Sequence, residues 1–243
     1  MSRYDRQMRV EGWDQKKLTS SKVSLVGAGA LGSMIGIQLA CLGVGRIDVY
    51  DNDVIEETNL NRQFIYFDCV GKEKAIALAE KLARLNPLVK VEGYVERIND
   101  VSVSLLGKTD VIVDSTDNFQ ARSILNKYAV EEKIPLISGA TSASSGQVIA
   151  YLPGKTSCLE CQIGINKLAK EEVDRASCLA DPDPSVITTN WIIAGIMAEE
   201  TRKILAPTNE SDKSLEQMLK YDLLQPLRFA LVKCGKKCAC REE

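Results

Sequence analysis

The chain has 243 residues, of which 31 are basic and 33 acidic, so its net charge is −2 and its sequence pI about 5.5. A balance this even provides no general electrostatic attraction for nucleic acid or an acidic membrane. The sequence contains no histidine, which excludes Ser-His-Asp and Cys-His nucleophile pairs, HExxH metal sites and a histidine general base. Any chemistry must therefore depend on carboxylates, lysine and arginine, backbone amides, thiols or a metal.

The N-terminus, MSRYDRQMRVEGWDQKK, is too charged for a signal peptide, and no stretch approaches the ~18 uninterrupted apolar residues of a membrane span. We therefore expect an intracellular, cytoplasmic protein that folds as one domain over residues 1–243. The eight cysteines are expected to be reduced, because cytosolic proteins rarely form disulfides. Cys41, on a predicted apolar helix, and Cys69 are interpreted as packing residues.

From Lys22 onward, short β-branched runs alternate with helical patterns, as is typical of a parallel sheet covered by helices. The predicted elements are a strand at Val23–Val26, a helix at Leu31–Leu42, a strand at Ile47–Tyr50, a helix at Lys72–Leu85, strands at Val89–Tyr94 and Asp110–Val113, a helix at Phe119–Glu132 and a strand at Ile134–Ser138. After Gly139 the pattern predicts an antiparallel strand at Gly146–Leu152, a long helix at Ile187–Ile204 and a last strand at Leu227–Lys233.

A glycine-rich turn joins the first predicted strand to the first predicted helix. Gly27, Gly29 and Gly32 form a GxGxxG pattern there, and Asp51 ends the next strand 19 residues later. Such glycines permit a tight turn, the start of the helix favours phosphate, and the acid can bind a ribose hydroxyl. The pattern predicts a Rossmann-like α/β fold with a mostly parallel sheet, helices on both faces and an antiparallel continuation on the C-terminal side.

The charged residues that follow suit a triphosphate better than a nicotinamide cofactor. Arg62 lies in ETNLNRQ (residues 57–63), Lys74 in GKEK (71–74) at the start of a helix, and Asp117 in DSTDN (114–118) just after a strand. Cations can neutralise the β- and γ-phosphates, and a carboxylate can hold magnesium. A hydride-transfer enzyme requires neither.

Together with RYDRQ (residues 3–7) and the terminal cysteines, these motifs resemble the superfamily that activates ubiquitin-like proteins. This superfamily includes the molybdopterin-synthase and thiamine-biosynthesis adenylyltransferases and the ubiquitin-activating enzymes. The resemblance covers nearly the whole chain and is strongest to single-domain modifier-activating enzymes. It implies adenylation of the C-terminal glycine of a ubiquitin-fold protein, with ATP and Mg²⁺, in a homodimer or pseudo-dimer.

The resemblance also assigns a role to each motif. It implies a nucleotide site made of Gly27, Gly29, Gly32, Asp51, Asn59, Arg62, Gln63, Lys74, Asp117 and Asn118. In it Asp51 would hold the ribose and Asp117 the magnesium, while Arg6 would reach the ATP of the other subunit. The absence of histidine fits this chemistry, because a peptide carboxylate is already ionised at pH 7 and requires no base.

Two groups of cysteines indicate a structural zinc site. Cys158 and Cys161 form a CxxC pair, and Cys234, Cys238 and Cys240 lie near the C-terminus. Four thiolates without histidine match a closed Zn²⁺ site, and the family also places zinc here, although its second pair is a CxxC that this sequence lacks. We favour Cys238 with Cys240 and keep Cys234 as the alternative to Cys240. Both segments are expected to be exposed, which disfavours a role in the core.

Cys178 stands apart in RASCLADP (residues 175–182), where Arg175 can favour a thiolate. Its context resembles the nucleophile segment of the modifier-activating enzymes. The first hypothesis is that a ubiquitin-like protein ending in Gly-Gly is adenylated, passes to Cys178 as a thioester and then to a conjugating carrier protein. The alternative is activation of a sulfur carrier for cofactor or tRNA thiolation without an enzyme thioester. An inert pseudo-subunit and a nicotinamide oxidoreductase are more distant alternatives.

Overall fold

The computed structural model describes residues 2–175, 184–222 and 228–232. Its helices in these ranges are α1 (Gln15–Ser20), α2 (Ala30–Leu42), α3 (Lys74–Leu85), α4 (Phe119–Glu131), α5 (Leu159–Ile163), α6 (Ile165–Arg175) and α7 (Ile187–Leu205). Its strands are β1 (Lys22–Val26), β2 (Arg46–Tyr50), β3 (Lys90–Tyr94), β4 (Val111–Asp114), β5 (Leu136–Thr141), β6 (Ser145–Tyr151), β7 (Met218–Asp222) and β8 (Arg228–Val232).

All eight strands form one sheet in the order β3-β2-β1-β4-β5-β6-β7-β8. Pairing is parallel from β3 to β5 and antiparallel from β5 to β8, which confirms the predicted fold class. The register sets Val26 opposite Tyr50 on one side and Asp114 on the other. Strands β2, β1 and β4 therefore end at one level, and the winding direction reverses between β1 and β4, which is where such sheets bind ligands.

The predicted elements of the first 140 residues are all present, with small shifts in their ends. Helix α3 begins at Lys74 rather than at position 72, because Gly71 and Lys74 donate their backbone N–H groups to Ile55 and Asp53 in the preceding loop. Strand β7 was not predicted. The described part of the last predicted strand is β8.

Two apolar cores cover the two faces of the sheet. Helices α2, α3 and α7 bury side chains such as Ile35, Leu78 and Met197 on one face, whereas the α4–α6 layer buries Leu125 and Ile165 on the other. Burial on both faces explains why the central parallel strands, such as β4, are mostly apolar, whereas the edge strand β3 is only half-buried and carries charged residues. Within the described ranges, none of the helices combines the length and apolarity that crossing a bilayer requires.

Candidate active site at the carboxyl edge of the sheet

The three glycines of the turn between β1 and α2 have different functions. Gly27 has a φ of +93°, and a Cβ there would lie 2.8 Å from the Ser115 carbonyl oxygen. A Cβ on Gly32 would lie 1.9 Å from the Gly27 carbonyl oxygen. Both positions require glycine for the fold itself. At Gly29 the nearest atom to an added Cβ is Nε2 of Gln63, 3.9 Å away, so the side of the loop that Gly29 lines is open.

Neighbouring elements hold this loop in place. Asp51 accepts the Ala28 N–H at 2.6 Å with one carboxylate oxygen and the Asp53 N–H at 2.8 Å with the other. The buried Tyr66 hydroxyl donates to the Ala28 carbonyl oxygen at 2.6 Å. Burial raises the pKa of the Asp51 carboxyl, and the two N–H groups only partly oppose this rise. Asp51 therefore fixes the loop, and its proposed contact with ribose stays a prediction.

The start of α2 is free to receive an anion. Its N-cap is Gly29, and no side chain among the described residues caps the helix, so within that part of the chain the first amides, at the positive end of the helix dipole, have no side-chain acceptor. Gln63 lies beside this loop, is only 4% exposed, and its Oε1 atom has no hydrogen-bond partner among the described residues. A buried polar atom without a partner is unfavourable, so this atom indicates a ligand with a donor.

Lys74 and Arg62 are the two cations that the sequence assigns to this site, and their contact with phosphate stays a prediction. Lys74 begins α3 with a side chain only 10% exposed, and its Nζ lies 2.8 Å from Oδ2 of Asp53. It is therefore no solvated surface lysine. Arg62 is half-buried and donates to the Thr58 carbonyl oxygen and to Asn61 Oδ1, both at 2.9 Å. Within the described part of the chain, Arg62 forms no ion pair, so its charge remains available to an anionic ligand.

Asp117 follows β4, the strand beside β1, and its side chain is exposed. Asn118 caps α4, because its Oδ1 accepts the Ala121 N–H at 2.8 Å. Asn59 has a similar local role, with Oδ1 accepting the Glu56 N–H at 3.1 Å. The side-chain oxygens of both asparagines are thus already engaged in backbone caps.

A buried polar network beneath Asp117 was not predicted. Asp114 accepts the Ser138 hydroxyl at 2.6 Å and both the N–H and the hydroxyl of Thr116, at 3.0 and 2.7 Å. Arg122, 5% exposed, donates to the Thr116 and Gly139 carbonyl oxygens. The sequence does hold a signal for it, because Arg122 has the inward helical spacing of the apolar residues three and seven positions later.

Arg6 does not join its own site. Its neighbours dock at the far end of α2: Gln7 Nε2 donates to the Leu42 carbonyl oxygen at 2.9 Å, and the Tyr4 ring packs on Gly43. Helix α2 has 13 residues, which makes it about 20 Å long. The exposed Arg6 therefore lies at the opposite end of this helix from the glycine loop.

The cysteine predictions need correction in two places. Cys158 is fully buried and belongs to the core under α4–α6, so the expectation that its segment is exposed was wrong. Cys41 is exposed on α2, because the apolar helix turns that position away from its neighbours, whereas Cys69 is buried as predicted. Cys161 is half-buried. The remaining predicted cysteines, Cys178, Cys234, Cys238 and Cys240, lie outside the described residues.

The described residues alone do not form a metal centre. No group of three or more cysteine or carboxylate side chains suited to a metal occurs among them. The single exposed carboxylate of Asp117 suits Mg²⁺, which is usually bound through one or two carboxylates together with substrate phosphates. The open start of α2 and the cations suit a nucleotide phosphate chain, whereas the orphaned Gln63 oxygen suits a donor group of a ligand, such as a hydroxyl.

The chain is similar to several known proteins. Residues 4–242 match the ThiF family. A Bacillus subtilis protein named sulfur carrier protein ThiS adenylyltransferase is 36% identical over 92% of this chain and 67% of its own length. An Escherichia coli molybdopterin-synthase adenylyltransferase is 32% identical over 85% of this chain and 82% of its own. A crystal structure of E. coli MccB with ATP matches with a TM-score of 0.80 and 26% identity, over 93% of this chain and 68% of that one.

The matched proteins are generally longer than this chain. It spans 51% to 67% of the length of three of the curated relatives. The comparison therefore covers the fold and the site described above, and the relatives' additional segments have no counterpart in the alignment.

Gly29 and Gly32 give opposite predictions for alanine substitution. Gly29→Ala should lower the free energy of unfolding by less than about 1 kcal/mol, because the added methyl group meets open space at a helix start. It should weaken ATP binding at least about tenfold, because that space is the phosphate approach. Gly32→Ala should cost about 1–3 kcal/mol or more of stability through overpacking. Urea unfolding and calorimetric ATP titration measure both effects; full ATP affinity in Gly29→Ala would contradict the site.

Proposed function

The chain belongs to the ThiF family, and from this premise we propose that it adenylates the C-terminal carboxylate of a ubiquitin-fold sulfur carrier protein, using ATP. The names of two relatives, one an adenylyltransferase for the sulfur carrier ThiS and one for molybdopterin synthase, support this substrate class. The similarity to MccB, a protein whose structure has been solved with ATP, supports the use of ATP. This is the alternative that the sequence left open, without an enzyme thioester.

The observation that carries the proposal is the open start of α2. Its uncapped amides and the open space at Gly29 form one anion-accepting surface, and the unpartnered Oε1 of Gln63 beside it can accept a hydrogen bond from a hydroxyl or amino group of the same ligand. Lys74 and Arg62 supply positive charge beside it, and Asp117 lies one strand away as a carboxylate for magnesium. A triphosphate requires this combination of charges.

The reaction requires positioning and charge neutralisation rather than proton transfer. The carrier's C-terminal carboxylate, ionised at pH 7, attacks the α-phosphorus of ATP; the new C(O)O–P bond forms as the P–O bond to pyrophosphate breaks. The α2 amides and the cations Arg62 and Lys74 hold the phosphates and neutralise the charge that develops on the leaving pyrophosphate. Magnesium, held through Asp117, would neutralise phosphate charge as well.

Pyrophosphate exchange tests the proposal. The full chain, ATP, Mg²⁺, labelled pyrophosphate and a ubiquitin-fold carrier ending in Gly-Gly should exchange label into ATP, and a carrier lacking its terminal glycine should not. Asp117→Asn should reduce exchange about 100-fold or more, because it removes the metal carboxylate. Asp100→Asn, a matched change at an exposed acid outside the site, should leave it unchanged. Near wild-type exchange in Asp117→Asn would refute the metal assignment.

A thioester on Cys178 is the second candidate, and the same assay decides it. The relatives' names favour adenylation alone, so Cys178→Ala should keep full exchange, and neither protein should form an adduct with the carrier that a thiol reagent cleaves. An adduct formed by wild type and lost in Cys178→Ala would instead establish transfer to this cysteine, because a thiolate attacks an acyl-adenylate without a histidine partner.

We further propose a homodimer in which Arg6 completes the partner's site. Two features support it: Arg6 lies about 20 Å from its own glycine loop by the length of α2, and apolar side chains are exposed at both ends of this layer. Met8 and Val10 are 50% and 51% exposed beside Arg6, and Phe64 and Trp191 stack on one another beside Gln63 while 44% and 43% exposed. In a two-fold dimer, the end of one subunit that carries Met8 and Val10 would lie against the end of its partner that carries Phe64 and Trp191.

Subunit mixing tests this arrangement. Arg6→Ala and Lys74→Ala should each be inactive, and an equal mixture should recover about a quarter of wild-type exchange, because half the dimers are hybrid and each hybrid has one intact site. Mixing Lys74→Ala with Asp117→Asn is the matched control. Each subunit supplies both Lys74 and Asp117 to its own site, so each of the two sites in a hybrid dimer carries one of the changes. No site is intact, and no recovery is expected. Equal recovery in both mixtures, or a monomer in sedimentation at assay concentration, would exclude the shared site.

A structural zinc remains a proposal as well. Cys158 is the N-cap of α5 and Cys161 lies within its first turn. This spacing suits half of a thiolate site, and Cys238 with Cys240 or Cys234 would supply the rest. Metal analysis of the full chain should find one zinc per chain, lost in the double variant Cys158→Ser, Cys161→Ser and kept in Cys41→Ser. Chain without zinc, purified without chelator, would contradict the site.

A further inference from the structure

Helix α4, which starts directly after Asp117 and Asn118, begins differently from α2. Glu172, on α6, accepts the Phe119 and Gln120 N–H groups with Oε2 at 2.8 and 3.2 Å. Asn118 accepts the next N–H, that of Ala121. The first three amides of α4 are therefore all bound by protein oxygens, while those of α2 lack any side-chain cap.

Asp117 is thus held by its neighbours on both sides and has no hydrogen bond or ion pair of its own within the described part of the chain. Before it, Thr116 donates its N–H to Asp114, and its carbonyl oxygen accepts from Arg122. After it, Asn118 is locked into the helix cap. The backbone is fixed and the carboxylate remains available, which is the state a metal ligand requires before the metal arrives.

Glu172 is the distant member of this arrangement. It lies 53 residues beyond Phe119 in sequence and is half-buried. The Gln120 N–H lies at the exposed edge of α4 and does not need Glu172 as a hydrogen-bond partner, because water could bind it instead. Its carboxylate also interacts favourably with the positive end of the helix dipole. Glu172 thus joins α6 to the start of the helix that follows Asp117.

We propose that Glu172 is a positioning residue for Asp117: by binding the first amides of α4 it fixes the loop that presents this carboxylate to Mg²⁺. The inference rests on the proposed function, in which Asp117 holds the metal. Residues that orient a ligand from outside the coordination sphere typically contribute 10- to 100-fold in metal affinity. Removing Glu172 should therefore act on the magnesium dependence more than on binding of the nucleotide alone.

The experiment titrates Mg²⁺ with the full-length protein. ATP binding is measured by calorimetry over a range of Mg²⁺ concentrations, and pyrophosphate exchange is measured over the same range. Glu172→Ala should raise the half-saturating Mg²⁺ concentration about tenfold and change ATP affinity without metal less than about twofold. Glu172→Gln, which keeps an acceptor oxygen, should stay within about threefold of wild type.

Ser123→Ala is the matched control, because the Ser123 hydroxyl donates to Asn166 Oδ1 at 2.6 Å and so joins α4 to α6 away from the Asp117 loop. It should leave the magnesium dependence unchanged. An unchanged magnesium dependence in Glu172→Ala, an equal shift in Ser123→Ala, or a glutamine variant no better than alanine would overturn the proposal. Asp117→Asn separates the two inferences. If Asp117→Asn also keeps the wild-type magnesium dependence, the metal assignment itself fails. If Asp117→Asn loses the magnesium dependence while Glu172→Ala keeps it, only the positioning role of Glu172 is overturned.

Discussion

The site depends on the conformation of one turn, the connection from β1 to α2. A positive φ at Gly27 and the contact of Gly32 with the Gly27 carbonyl oxygen set the path of the chain, and Asp51 and Tyr66 bind the N–H and the carbonyl oxygen of Ala28. The N–H and the carbonyl oxygen of Ala28 are thereby both bound by groups of the protein itself. What remains directed outward is the start of α2, so the fold creates an anion site because its own groups are satisfied elsewhere.

The two helices that begin at this edge of the sheet favour ligands of opposite charge. Helix α2 keeps its amides open and so favours an anionic ligand, whereas α4 satisfies its amides with Asn118 and Glu172. In the proposed function, this difference directs the phosphates to the start of α2 rather than to that of α4. An anion is directed to α2, and a cation is favoured beside α4, where Asp117 and Glu172 concentrate negative charge.

Local patterns predicted most of the fold because the parallel strands are buried on both faces and the helices between them have a clear period. The positions of the glycine turn, Asp51 and Asp117 were also predictable, since each follows a strand end, and Lys74 was predictable at a helix start; their roles at the site stay predictions. Strand β7 was missed because MLKYD at residues 218–222 mixes apolar and charged residues and owes its structure to β6 and β8. Its partner β6 is distant in sequence, and no local preference identifies that pairing.

Long-range polar contacts explain what the sequence did not predict within the site. Glu172 lies in a charged stretch of α6 that resembles any solvated helix surface, and only the packing of α6 on α4 brings it to the Phe119 amide. The network of Asp114, Ser138 and Arg122 joins residues of three elements. The burial of Cys158 follows from the same packing, because α5 covers the core below α4.

The pairing of Lys74 with Asp53 shows how this edge can be stable when empty and still accept phosphate. The lysine side chain is 10% exposed and the aspartate 56%, so the two partners differ in what separation costs. An ammonium group this buried is costly without an anion, whereas a carboxylate that is already half in water returns to solvent at little cost. A phosphate oxygen can therefore replace Asp53 beside Lys74, and the aspartate neutralises the lysine when the nucleotide is absent. Because Asp53 is also bonded through its backbone N–H to Asp51, the replacement leaves the glycine turn in place.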